Sequence, residues 1–321
     1  MRRTLAVGSL FGLLALALAG CGGGGGGGSS ASTVAAATTA TATPTPVTSS
    51  TGSATTSAAP VTTTTLARGS FRLLTYNVAG LPQGISSSDP VTNIPQISPK
   101  LNDYDLALCQ EDFWYHDFLK QNALHPHQSS PLRGYSTLVG DGLNRFSAYP
   151  FSGHTRVKWG SCNGFTGAAN DCLSSKGFSF AIHELAPGVE LHVYNLHADA
   201  GGSAGDIQAR VDNFQQVAHW ILSFSQNAAV LVAGDTNLDD GSVRPRDGQT
   251  LDDFLAATGC TEVARLLGKP SIIDRVMFRS SPQLELTPVR WRIADEFITA
   301  AGAPLSDHEA VNVDFTWEQH P

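Results

Sequence analysis

Basic residues are scarce in this chain. Its 321 residues include 20 Lys and Arg against 28 Asp and Glu, a formal net charge of −8. Residues 1–68 hold no Lys, Asp or Glu, and their three charged residues are Arg2, Arg3 and Arg68. The remainder therefore carries 17 basic and 28 acidic residues, a charge of −11. A domain so acidic lacks the cationic footprint that neutralises nucleic-acid phosphates, so general nucleic-acid binding is not expected. Long apolar runs are also missing. Beyond the N-terminus no stretch approaches the roughly 20 apolar residues that cross a bilayer. Cysteines number five. No second Cys/His pair lies at ligand spacing near Cys162 and Cys172, which weakens a zinc reading.

The N-terminus is not globular. Arg2 and Arg3 precede an apolar segment from Leu5 to Ala19, followed by Gly20 and Cys21. A charged start, a short apolar stretch and small residues at the cleavage point read as a secretory signal over residues 1–20. The tetrapeptide Leu18-Ala19-Gly20-Cys21 resembles the lipobox of bacterial lipoproteins, which implies a lipidated Cys21 at the mature N-terminus. A plain signal peptide or an anchor helix is the alternative. Residues 21–68 continue with the run Gly22–Gly28 and then Ser, Thr, Ala and Pro. Such a composition buries too little apolar surface to offset chain entropy, so it reads as a flexible tether. The expected organisation is an exported chain anchored to the bacterial cell envelope, with its folded domain over residues 69–321. In an oxidising compartment Cys162 and Cys172, which bracket a Gly/Asn-rich loop, are a plausible disulfide. Cys109 reads as a buried small hydrophobe, and a Cys109–Cys260 pair is an open alternative.

The folded part is organised around Val230-Leu231-Val232-Ala233-Gly234-Asp235-Thr236-Asn237. A short apolar, β-branched run reads as a buried strand, and it ends in Asp235 and Asn237. Ligands bind beyond the carboxyl ends of strands in open α/β sheets, where two such side chains can converge on one ligand. Other strands are expected at Phe71–Val78 (ending in Asn77), Tyr104–Glu111, Phe178–Ile182, Leu191–His197, Ser271–Phe278 (Asp274 in its middle) and Val311–Trp317. A helix is expected after an N-cap at Asp206, with Ile207, Val211, Phe214, Val217, Ala218, Ile221 and Leu222 on one stripe. A further helix over Leu251–Ala257 ends at Gly259. Phe113, Trp114, Phe118 and Leu119 recur at helical spacing, which predicts a core-facing helix. Interleaved strands and helices make the class α/β.

The polar strand ends are Asn77, Glu111, His197, Asp235, Asn237, Asp274, Asp307 and His308. Each has an ordinary reading as a cap, a turn or a structural ion pair. Together, as TYNVAG, CQED, NLHAD, GDTN, IDRV and SDHEAV in that order, they resemble the endonuclease/exonuclease/phosphatase superfamily. The resemblance implies a four-layer αββα sandwich of two packed mixed sheets and Mg2+-dependent cleavage of phosphate esters. One Mg2+ is implied, with a second or a substitute divalent cation as variants. It implies metal ligation by Glu111, Asn77 and Asp307, with His308 as the base that activates water and Asp274 fixing its imidazole. Asp235 would orient the water or share the proton transfer, and Asn237 and His197 would stabilise the phosphorus centre.

Within the superfamily, GSCNG, NDCLSSKGFS and NLHADAG look like the secreted sphingomyelinase branch, which implies a phospholipid substrate, phosphocholine as product and a monomer. That branch also implies an exposed aromatic hairpin near the C-terminus. The matching region Ser280–Pro304 offers Trp291 and Phe297, which fit ordinary sheet positions equally well. Trp159, Phe165 and Trp291 are candidates to face a choline ammonium. A secreted nuclease or phosphatase of the same superfamily, and a non-catalytic surface lipoprotein, are the alternative functions.

Overall fold

The computed structural model describes residues 66–132, 140–164 and 171–321. Cys21, the tether and Phe165 lie outside the described residues. Residues Thr65–Pro321 form one compact unit. In chain order the elements are β1 (Arg68–Asn77), α1 (Pro90–Lys100), β2 (Leu106–Gln110), α2 (His116–Leu119), β3 (His127–Gln128) and β4 (Asn144–Ser147). There follow β5 (Phe151–Lys158), β6 (Gly177–Ala186), β7 (Val189–His197), α3 (Ala204–Phe224), β8 (Val230–Asp235) and α4 (Pro245–Thr258). The last are β9 (Thr261–Glu262), α5 (Val263–Leu266), β10 (Asp274–Arg279), β11 (Leu284–Ile293) and β12 (Val311–Gln319). No described helix is long and apolar enough to cross a membrane.

Two six-stranded mixed sheets result, ordered β11-β12-β1-β2-β4-β3 and β5-β6-β7-β8-β10-β9. Strand alternation sends successive side chains to opposite faces and so builds three apolar interlayers. Phe71, Leu73, Leu108, Val193, Leu231, Val276, Val313 and Phe315 fill the space between the sheets. Leu74, Tyr76, Ala107 and Cys109 leave the other face of the first sheet and pack on Ile94 and Ile97 of α1 and Leu119 of α2. Val230, Val232 and Met277 do the same on the second sheet against Phe214, Val217 and Ile221 of α3 and Leu251 and Phe254 of α4. The fold is thus the expected four-layer αββα sandwich. Cys109 and Cys260 are both buried and unpaired, each in a different outer interlayer, so they do not bond. Cys162 and Cys172 are disulfide-bonded.

Several local expectations change. The N-cap of α3 is Ser203, not Asp206. Ser203 Oγ accepts the Asp206 N–H, and the Asp206 carboxylate accepts the Ser203 N–H, a reciprocal capping box. The helix at Phe113–Leu119 shrinks to the four residues of α2. The N–H groups of Phe113 and Trp114 are spent on Glu111 O and Gly80 O, so no helical ladder forms there, and Trp114 and Phe118 are exposed. Helix α4 begins six residues earlier than its apolar pattern suggests, with Pro245 in its first turn, and ends at a left-handed Gly259 as expected. Asp274 opens its strand instead of sitting in the middle. Trp291 and Phe297 are buried core residues, so this region presents neither as an exposed aromatic. Trp159 is buried too, its indole N–H donating to His197 O at 2.7 Å, so neither Trp159 nor Trp291 faces a choline headgroup.

Candidate active site

Strand direction assembles the polar strand ends. β1 runs parallel to β2 and β7 parallel to β8, and since the last residues of β1 and β8, Asn77 and Asp235, are hydrogen-bonded across the sheets, all four finish at one pole. β10 is antiparallel to β8 and β12 antiparallel to β1, so these two strands begin at that pole. Register then fixes the neighbours: His197 and Asp274 both lie directly opposite Asp235. The inter-sheet space turns polar here, where Gln110 Nε2 donates to Thr75 Oγ1 at 3.1 Å and to Asn195 Oδ1 at 2.8 Å.

Asp235 is the hub of the cluster. Its Oδ2 accepts from Asn77 Nδ2 at 3.1 Å and lies 3.2 Å from His197 Nε2 and 3.7 Å from His308 Nε2. Its Oδ1 accepts the Asn237 N–H at 3.0 Å. Asn77 Nδ2 also donates to Glu111 Oε1 at 3.2 Å, and His197 Nε2 stands 4.0 Å from the same oxygen. His308 Nδ1 bonds Asp274 Oδ2 at 2.9 Å. Glu111 sits just past β2 with φ 55°, the left-handed region that a non-glycine residue seldom occupies. The Asn237 amide donates to Ala198 O at 3.2 Å, and exposed Asp307 accepts from Ser87 Oγ at the rim.

The charges bias one another. Burial by itself would lower the His308 pKa, but the hydrogen bond and charge of Asp274, then Asp235 and Asp307, outweigh it and raise His308 to about 10. Burial pushes the Asp274 carboxyl up to about 6, despite the hydrogen bond to His308 that opposes it. Burial also favours a neutral Asp235, yet His197 and then His308 prevail and hold its carboxyl below the ordinary carboxylate range. The carboxylates of Asp274 and Asp235 thus both favour the charged imidazole of His308, whose ring stands between them.

No protein-family model matches the chain. The sphingomyelinases of Mycobacterium bovis and Mycobacterium tuberculosis are 32% identical to it over 281 residues, covering 79% of this chain and 54% of theirs. This chain is a sphingomyelinase homologue. It spans about half the length of the curated relatives it matches. The sphingomyelinase C of Streptomyces griseocarneus superposes with a TM-score of 0.58 at 19% identity, over 77% of this chain and 99% of that one. A beta toxin variant of Staphylococcus aureus with bound magnesium ions gives 0.57 at 17% identity, over 76% and 99%. Both likenesses are those of the DNase I-like fold.

A divalent cation suits the homologue's donor set. Ligand atoms of Asp235, Asp274 and His308 lie within 4.8 Å of one another, with Glu111 beside them. Asp274 Oδ1 is buried with no hydrogen-bond partner among the described residues. Crowded carboxylates with an unsatisfied oxygen fit a hard cation that takes oxygen ligands. Asn77 departs from the expected ligand role in one respect. Its Oδ1 accepts the Ala79 N–H at 3.0 Å, which turns its NH2 toward Glu111 and Asp235 and makes it a bracket between two acids.

The motifs alone gave no role to Ser306, Lys176 or Asp171. Ser306 Oγ donates to Asn77 O at 2.7 Å and accepts the His308 N–H, joining β1 to the His308 loop. Lys176 pairs with Asp171 at 2.5 Å, and its charge reaches both Asp199 and Asp235. Asp171 in turn accepts the Ala200 N–H at 2.7 Å, and Asp199 accepts the Asn163 N–H at 2.9 Å. These bonds tie Asn163 and Asp171, beside the two cysteines of the disulfide, to the segment that follows β7. Asp171 and Lys176 fall inside the NDCLSSKGFS motif, which was the only sequence signal for them.

Proposed function

We propose that the chain is a Mg2+-dependent phosphodiesterase that releases phosphocholine from sphingomyelin or a related choline phospholipid. The supporting observation is the line Asp274–His308–Asp235, an imidazole between two buried carboxylates at a mouth that also holds Glu111. The mycobacterial relatives favour a lipid substrate, and the domain charge of −11 opposes a polyanionic one. Glu111 would hold the cation, with Asp307 as the outer carboxylate and Asn77 keeping Glu111 and Asp235 together. The cation supplies polarisation of a phosphoryl oxygen and charge relief at the leaving oxygen.

His308 Nε2 takes the proton of the attacking water, and Asp274 at Nδ1 fixes the tautomer and steadies the charge that forms. His197 and Asn237 donate to the phosphoryl oxygens as charge builds, Asn237 turning its amide from Ala198 O to do so. Because Asp274 and Asp235 raise the His308 pKa and only the neutral imidazole accepts a proton, turnover is expected to rise with pH into the alkaline range. Turnover that falls as His308 deprotonates would instead make it the acid that protonates the leaving oxygen. The decisive assay measures phosphocholine released from sphingomyelin and nicking of DNA, each with Mg2+ and with a chelator. Efficient DNA cleavage without phosphocholine release would return the chain to the nuclease alternative.

A further inference from the structure

The catalytic pole carries an apolar surface that the chemistry leaves unused. Ile85 is 59% exposed and Trp114 60%, and Val91 and Phe118 are exposed as well. They stand on one continuous structure. The Gln83 N–H donates to the Tyr115 hydroxyl at 2.8 Å, and Gln83 Oε1 accepts the Val91 N–H at 3.4 Å. The Trp114 N–H donates to Gly80 O at 3.3 Å, and the rings of Tyr115 and Phe118 stack at 6.2 Å. The surface begins three residues beyond Glu111. Its first loop also reaches the His308 loop, where Ser87 Oγ donates to Asp307 and Ser88 Oγ to Leu305 O. Of the five tryptophans, Trp159, Trp291 and Trp317 are buried and Trp220 is half-buried, so Trp114 alone is exposed.

We propose that this patch seats the domain on a zwitterionic lipid bilayer, with the catalytic mouth against the headgroups. The proposal rests on the lipid-substrate reading above. Tryptophan and tyrosine suit the boundary between headgroup and hydrocarbon, since each joins an apolar ring to a polar tip. Charge selects the kind of bilayer. Residues 78–91 and 111–120 contain four acidic residues and a single Lys, Lys120, which is already paired with Asp117 at 3.0 Å. An anionic surface would repel such a patch and a neutral one would not, so apolar insertion has to supply the attachment. The C-terminal region offers no exposed aromatic, because Trp291 and Phe297 are in the core, and its exposed apolar residues are the separate aliphatics Val289 and Ile298.

The Cys21→Ser chain without residues 1–20, which lacks both a lipid anchor and the apolar N-terminal segment, is mixed with vesicles of phosphatidylcholine and sphingomyelin, and separately with vesicles enriched in phosphatidylglycerol. Sedimentation with the neutral vesicles is expected, with a blue shift of tryptophan emission from Trp114. In the double variant Ile85→Ser/Trp114→Ser, partition onto neutral vesicles should fall about tenfold or more, while hydrolysis of soluble bis-p-nitrophenyl phosphate stays unchanged. Trp114→Phe should keep most of the binding. Vesicle binding that the double variant leaves intact, or binding confined to anionic vesicles, overturns the proposal. So does the absence of vesicle binding together with a self-association that the double variant abolishes, because the patch would then be a protein interface. Neutral-vesicle binding that the double variant abolishes, without phosphocholine release by the unsubstituted patch, supports the patch and overturns the lipid-substrate reading.

Discussion

Glu111 and Asp199 show how a single residue's surroundings set its behaviour. Glu111 occupies a left-handed backbone at φ 55°, a conformation that stores about 1–3 kcal/mol and persists only where neighbours enforce it. Asn77 Nδ2 fixes one of its oxygens. Glu111→Gln keeps the shape and the backbone but removes the charge that would hold a cation. Its melting temperature should match the wild type within a few degrees, while Mg2+-dependent turnover falls about a hundredfold or more. Near-normal turnover at ordinary Mg2+ would remove Glu111 from the metal site. Asp199 is buried with Oδ1 unpartnered, and burial first, then the charges of Asp171 and Asp206, push its carboxyl up to about 7. A raised acid favours the folded state while protonated, so its contribution is present below pH 3.8 and is lost as pH rises through about 7. Thermal melts between pH 4 and 8 should therefore show wild-type stability declining relative to Asp199→Asn. Parallel curves would show that Asp199 is ionised at no penalty.

The β7–β8 pairing sets the geometry at the scale of elements. Gly234 lies opposite Leu196 with φ +147°, and a Cβ there would stand 2.0 Å from Leu196 O, a backbone atom that cannot turn aside. One residue further along each strand are Asp235 and His197, 3.2 Å apart. Gly234→Ala should force the strands apart, lowering stability by about 2–4 kcal/mol. It should also lose turnover at temperatures where the variant is still fully folded, which a melt and an assay on one sample can read. A variant as stable and active as wild type would mean that the strands can part without disturbing the site.

The chain enters the folded unit at Arg68, the end of β1 opposite Asn77. β1 has ten residues at about 3.3 Å each, so that entry lies roughly 30 Å from the catalytic pole. If Cys21 is lipidated as the resemblance implies, the anchor attaches through residues 22–67 to the far pole, and catalysis by the domain is independent of it. Cys21→Ser should then move the protein from the membrane fraction to the soluble one at unchanged turnover on a soluble phosphodiester. A protein that stays with membranes after salt washing would point to a second attachment, for which an uncleaved apolar segment Leu5–Ala19 is the first candidate.

Composition and pattern determined a good deal alone. The −11 charge and the ordered set of strand-end residues depend only on residue types and their spacing along the chain. Strand period then assigns faces, since alternate side chains must point opposite ways. What required the tertiary structure was every relation between distant segments. His308 and Asp274 are 34 positions apart, and Asn77 and Asp235 are 158 apart. No local pattern says that these pairs touch or which atoms meet. The Ala79 N–H, not the asparagine itself, decided that Asn77 presents its NH2. Likewise the two sheets closing on each other took Trp291 into the core, while the turn at Glu111 left Trp114 outside. Hydrophobicity was the same signal in both tryptophans, and only the packing around each distinguished a core residue from a surface one.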